Sequence, residues 1–257
     1  MASSRLSTRR SLAILITALA IAAMTTADAG AASGPVAGGP AGQDVCSAQA
    51  GAVAASATVD RLKAFGDCEI ARRETTLASL AAVVKAAPAL TSGDRAALNG
   101  DIATAKSTLG TLKTRLDAAV AAVGCKAAIA EVVSDARVYV LVGPQVRLTI
   151  AADDVLSIKP HVQALAASLA QRISQAAAAG RDTSAAQSSL DAMNAALAKA
   201  ESLAAPWPSK LISLTPAQYA TGTAGSSLQQ ARTALAEASQ QLKAAVADGR
   251  AVLAALR

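Results

Sequence analysis

The chain has 257 residues, of which 53% are hydrophobic but only 2% aromatic, because alanine supplies much of the apolar count. That is a helix former's composition rather than a membrane protein's. The formal charge of +6 is a mild excess spread along the chain, and with few aromatics for base stacking it argues against nucleic acid as a partner.

The first residues read as a secretory signal peptide: a basic start at Arg5, Arg9 and Arg10, an uncharged run over 11–26, and an A-x-A site at Ala27, Asp28 and Ala29. Cleavage after Ala29 is expected, with residues 1–29 removed. The uncharged run is too short to favour a permanent span, which needs about 20 apolar residues; an uncleaved anchor is the alternative. Thr8-Arg9-Arg10-Ser11-Leu12 also resembles a twin-arginine signal, a minor variant of the same export. No later apolar run is both uncharged and long enough to cross a bilayer, so no permanent membrane span is expected once the signal is gone.

Residues 30–55 form a leader rich in glycine, alanine and proline, expected to be flexible. Cys46 lies well beyond the apolar run and follows Gln43-Asp44-Val45, which argues against a lipid anchor. In an oxidising compartment Cys46, Cys68 and Cys125 would form one bridge and leave one thiol. The pairs considered are Cys68 with Cys125, at one end of a helical hairpin, or Cys46 with Cys125; three unpaired thiols is the bland alternative.

From 56 to 257 the sequence predicts an all-α fold, an elongated antiparallel helical bundle with coiled-coil-like hairpins, as one domain. Ile70, Leu77 and Val84 recur every seven residues with Leu80 and Ala87 between them. After Pro88, Thr91 and Asp94 cap a second helix whose apolar stripe runs through Leu98, Ile102, Ala105, Leu109, Leu112, Leu116, Ala119 and Val123, about seven turns. The stretch 138–150, VYVLVGPQVRLTI, is rich in β-branched residues around Gly143-Pro144 and is compatible with a β-hairpin. Two helices meeting there is the favoured reading, since Pro144 suits a first helical turn.

Pro160 is expected to kink or restart the next helix, which should stop at Gly180. Asp182 to Ser184 supply caps for the helix that follows. Leu190, Met193, Leu197, Ala200 and Ala204 form one further seam, and Leu228, Ala231, Leu235, Ala238, Leu242 and Ala245 another. Between them Thr215-Pro216-Ala217-Gln218 reads as a capping box on a short helix. Long stripes of this kind can seal within one chain or by self-association.

The short stretches Gly66-Asp67 with Ile70, Arg72 and Arg73; Leu90-Thr91; Arg137-Val138-Tyr139 with Pro144; Ala151-Ala152-Asp153; and Leu214-Thr215-Pro216 together make the chain resemble a group of secreted α-helical proteins of high-GC Gram-positive bacteria. The resemblance implies an all-helical reading of 138–150. It implies no activity and assigns no role to any residue.

Catalytic signatures are absent. His161 is the one histidine and has no partner group at a recognisable spacing, so neither a metal site nor a Ser-His-Asp arrangement is expected. No G-x-S-x-G and no phosphate loop occurs, and no cofactor is implied. The best polar constellation is Asp135, Arg137, Tyr139, Arg147, Asp153 and Asp154, beside the most hydrophobic stretch of the mature chain. A reversal near Pro144 would set Arg137 or Asp135 opposite Asp153 or Asp154 as a structural lock, the favoured reading, or a ligand pocket. Asp153 and Asp154 are adjacent, about 100° apart on a helix, which suits paired-carboxylate hydrolysis poorly. Trp207, between two prolines, is the candidate for an exposed aromatic stacking on a sugar or partner, but capping of the bundle's end is the favoured reading, because large aromatics bury most of their surface. The function expected is an exported, non-enzymatic structural or interaction protein of the cell envelope or extracellular space, with an unidentified protein or cell-wall partner. A small-ligand or wall-glycan binding protein, or less readily a hydrolase, is the alternative.

Overall fold

The computed structural model describes residues 46–257; the signal peptide and most of the leader read from the sequence lie outside the described residues. Among the described residues there is no strand, and the fold is all-α. The elements are α1 (Ser47–Ala55), α2 (Val59–Ala86), α3 (Ser92–Ala118), α4 (Ala122–Ser134), a π-helical turn (Val138–Val142), α5 (Gly143–Ala178), α6 (Ser184–Ala204), α7 (Trp207–Ile212), α8 (Pro216–Ala220) and α9 (Thr223–Ala255). The stretch 56–257, read from sequence as one domain, divides by its contacts into two compact units. The first holds 46–150 with Ser209–Gln229; the second holds Ala151–Pro208 with Gln230–Arg257.

In the first unit α2 and α3 form the expected hairpin, burying Ile70, Leu77, Leu80 and Val84 on one side and Leu98, Ile102, Ala105, Leu109, Leu112 and Leu116 on the other. Thr91 caps α3, its hydroxyl oxygen accepting from the Asp94 N–H at 3.1 Å. The C-terminal carbonyls of α2 have no intrahelical donor. Arg95 supplies one from α3: its guanidinium donates to the carbonyls of Val84, Lys85, Ala87 and Leu90, the last three at 3.1, 2.6 and 3.3 Å. One charged side chain thereby closes the end of the neighbouring helix and the connection leaving it.

Lower on the hairpin the side chains of Leu116 and Ile129 press onto the backbone at Gly66. A methyl group there would stand 2.5 Å from Leu116 Cδ2 and 3.1 Å from Ile129 Cγ1, so the absence of a side chain is what admits both neighbours. The stripe predicted through Ala119 and Val123 ends early. Ala119 is extended, with ψ of 124°, the register is lost, and Val123 emerges on α4 at 75% exposure.

Asp101, on the same α3, is half-buried, and its Oδ2 has no partner. Burial pushes its carboxyl above the ordinary 3.8. Between 3.8 and the raised value the folded chain holds more protons than the unfolded chain, so stability falls as the pH rises through that interval. Asp101→Asn is therefore expected to raise the thermal midpoint by a few degrees at neutral pH and to change nothing at about pH 3. Thermal unfolding of both proteins across that range checks it; an equal gain at both ends would contradict it.

The cysteine pairing differs from both expected pairs. Cys46 is bridged to Cys68, with Cα atoms 5.8 Å apart, and Cys125 is a buried free thiol. The reason is that 47–55 is not flexible leader but the helix α1, which Ser56 to Thr58 fold back toward α2, bringing its first end to Cys68. Arg61 adds a bond from Nη1 to the Ala52 carbonyl at 3.3 Å. Cys125 meanwhile faces the core of α4 with Ala128 and Val132. No residue within α1 is buried, so the bridge is the principal covalent tie of that helix.

The second unit is built from the predicted small-and-large seams. Leu190, Met193, Leu197, Ala200 and Ala204 of α6 and Ala231, Leu235, Ala238, Leu242 and Ala245 of α9 are all buried, as are Val162, Leu169 and Ile173 of α5. Close packing shows at Gly249 of α9, where an added methyl would lie 3.3 Å from Met193 Sδ and 3.8 Å from Leu169 Cδ1. Lys159 and Glu201 pair at 2.6 Å, linking α5 to α6, and Lys199 and Glu237 at 3.6 Å, linking α6 to α9. Pro160 does not restart the helix: α5 runs unbroken through it, packing of the surrounding apolar residues outweighing one missing N–H. The stop at Gly180 is as expected, with φ of 75° and bonds from Gly180 N–H to the Ala177 carbonyl and from Arg181 N–H to the Ala176 carbonyl.

Candidate functional site

The stretch 138–150 is helical, not a β-hairpin. Its entry is unusual: Arg137 takes the left-handed conformation, φ 39° and ψ 35°, the one non-glycine residue to do so among the described residues. The chain turns there from the end of α4 into five residues of π-helix, where Val142 N–H reaches the Arg137 carbonyl at 3.3 Å. A crowded run of β-branched residues favours the wider turn, and Val138, Leu141 and Val142 are buried by it. Pro144, second in α5, has no N–H to place. Left-handed backbone at a bulky residue costs roughly 1–3 kcal/mol and persists where its surroundings hold it.

Those surroundings are aromatic and charged. Arg137 lies over the Tyr219 ring, 4.9 Å from its centroid. Tyr219 sits on α8, which the predicted capping box starts: the Thr215 N–H donates to Gln218 Oε1 at 2.8 Å and the Gln218 N–H to Thr215 Oγ1 at 3.3 Å. Gln145 is 2% exposed and holds the chain ahead of α8, donating from Nε2 to the carbonyls of Leu211 and Leu214 at 2.9 and 3.0 Å.

Two residues beyond Arg137, the Tyr139 ring receives Arg72 and Arg73 of α2 at 5.0 and 5.2 Å. Both arginines share the Glu69 carboxylate, Arg72 through Nη2 at 2.8 Å and Arg73 through Nη1, which also donates to the Glu69 carbonyl at 3.0 Å. The Arg73 side chain is 6% exposed and that of Arg72 24%. Arg72 Nε, Arg137 Nε, the Tyr139 hydroxyl and Thr149 Oγ1 are buried without a hydrogen-bond partner.

The predicted constellation is only partly assembled. Arg137 and Tyr139 belong to the corner just described. Asp135 is exposed and accepts from Ser134 Oγ at 2.7 Å, and Arg147 is exposed on the outer side of α5, so neither joins it. Asp153, which is buried, and Asp154, whose carboxyl half-burial pushes up, belong to the second unit. Trp207 is 8% exposed, in line with the favoured reading that it buries most of its surface and against the exposed stacking ring.

Glu69, Arg72, Arg73 and Tyr219 were not anticipated as site residues. A signal existed for Glu69 and Arg73: the buried positions of α2 run Leu62, Gly66, Glu69, Ile70, Arg73, Leu77, Leu80 and Val84, so charge occupies two places in an otherwise apolar seam. Among the described residues no three His, Cys, Asp or Glu side chains converge as metal ligands, and no helix is long and apolar enough to cross a membrane. No protein-family model, no curated protein and no solved structure matches the chain, so the corner is understood from its own geometry.

Proposed function

We propose that the protein is an exported helical module with a structural or interaction role at the cell envelope or in the extracellular space, rather than an enzyme. The observation that carries this reading is how the polar corner is wired. Arg73, Glu69 and Gln145, three of its buried polar members, bond to one another or to backbone carbonyls, and thereby hold helices together. His161 is exposed, without a catalytic partner of resolved geometry. The Cys46–Cys68 bridge supports export, because such bonds persist in oxidising compartments. The resemblance to secreted helical proteins of high-GC Gram-positive bacteria points the same way, as does the basic, then apolar, then small-residue order of 1–29.

The test is fractionation of producing cells, with N-terminal sequencing and non-reducing mass spectrometry of the recovered protein. A new N-terminus at Gly30 and the Cys46–Cys68 linkage are expected; an unprocessed, reduced chain retained in the cytoplasm overturns export. Cross-linking on intact envelopes should recover a partner or a self-assembled form. A lone monomer there and in solution overturns the interaction role.

A further inference from the structure

We propose that the corner formed by Arg72, Tyr139 and Arg137 binds an oxyanion, the phosphate or carboxylate group of an acidic ligand. The reasoning is an account of donors and acceptors and stands apart from the proposed export. A guanidinium offers five N–H donors and accepts nothing, and a neutral phenol carries one O–H. Three of these donors, Arg72 Nε, Arg137 Nε and the Tyr139 hydroxyl, are buried without an acceptor. The Glu69 carboxylate is already shared between Arg72 and Arg73. A site with spare donors calls for a group that only accepts, and a planar fork of N–H groups matches an oxyanion's paired oxygens.

Buried polar groups without partners are rare in folded proteins, and each calls for a physical explanation. Their position here is not random: Arg137 immediately precedes the π-turn, Tyr139 is its second residue, and Arg72 stacks on the Tyr139 ring. The left-handed Arg137 and the π-turn are both features that collect at ligand sites. Access is at Arg72 and Arg137, the less buried arginines of the corner, while Arg73 is bonded to Glu69. The Tyr139 ring, stacked with Arg72 and Arg73, fixes its hydroxyl as a donor.

The experiment is thermal unfolding of the disulfide-bonded protein in rising concentrations of inorganic phosphate, and separately of glucuronate, with chloride holding ionic strength constant. A saturable rise in midpoint is expected with at least one of the two and none with chloride alone. Phosphate acting alone assigns a phosphoryl ligand; glucuronate acting more tightly assigns an acidic sugar. Tyr139→Phe keeps the ring stack and removes one donor, and should weaken half-saturation about tenfold. Arg72→Gln should weaken it at least as much, whereas Arg250→Gln, on an exposed position of α9, should leave it unchanged. No saturable response to either anion overturns the proposal, and so does a response that Tyr139→Phe leaves unaltered in a protein of native circular dichroism.

Discussion

Glu69→Ala is expected to destabilise the protein by about 3–5 kcal/mol, the loss that follows when one partner of a buried ion pair is removed and the other is left without compensation. The stranded partner would be Arg73, whose side chain is 6% exposed and which takes from Glu69 both a carboxylate oxygen and the backbone carbonyl. Only the carboxylate is lost in the variant, but Arg72 loses it too, and two adjacent guanidiniums would then share the Tyr139 ring with no anion between them. Cation–π attraction of about 0.5–2 kcal/mol does not offset that. Removing the problem rather than half of it should restore stability: Glu69→Leu combined with Arg73→Met is expected to lie within about 1 kcal/mol of the parent or above it, because an apolar pair of similar volume has no charge to desolvate. Urea unfolding followed by circular dichroism measures all three proteins. A single-variant loss below about 1 kcal/mol would show that water reaches Arg73 freely and that the pair is a surface one.

Leu116→Ala should cost about 3–5 kcal/mol, the range for a fully enclosed leucine whose surroundings collapse only in part. Leu116 is 1% exposed and fills the space that Gly66 leaves between α2, α3 and α4. The informative measurement is the pair. Gly66→Ala gains up to about 1 kcal/mol of helix propensity but drives a methyl into Leu116 and Ile129, an overpacking worth about 1–3 kcal/mol, so alone it should be destabilising. With Leu116 already cut back, the same methyl enters vacated space and becomes stabilising. The two changes should therefore miss additivity by more than 1 kcal/mol in the favourable sense, about the size expected for residues in direct contact. Strict additivity would mean that the α2 and α3 backbones shift apart to admit the methyl without needing Leu116 to yield.

The long helices were readable because their information is local and repeated. Leu98 to Leu116 in α3, Leu190 to Ala204 in α6 and Ala231 to Ala245 in α9 each present one buried side chain every three or four residues, and every such residue is enclosed. The Thr91 and Thr215 caps were readable for the same reason, each motif being complete within four residues. What failed depended on contacts distant in sequence. Helix α1 buries no residue of its own, so periodicity is silent there, and the partner of Cys46 follows from where the chain folds back. Pro160 obeys its local rule in isolation, yet neighbours such as Val162 and Leu169 hold α5 continuous around it. Arg137 carries no mark of its left-handed backbone, which Tyr219, some eighty positions later, helps to hold. Only part of the polar corner was visible for that reason: Arg137 and Tyr139 drew notice beside an apolar run, whereas Glu69, Arg72, Arg73 and Tyr219 acquire their places only from contacts distant in sequence.

The bridge between Cys46 and Cys68 also pins the start of α1 to the first half of α2. A protease that clips the Ser56 to Thr58 link would leave the severed piece hanging from the body by sulfur, and a mild reductant would then let it go.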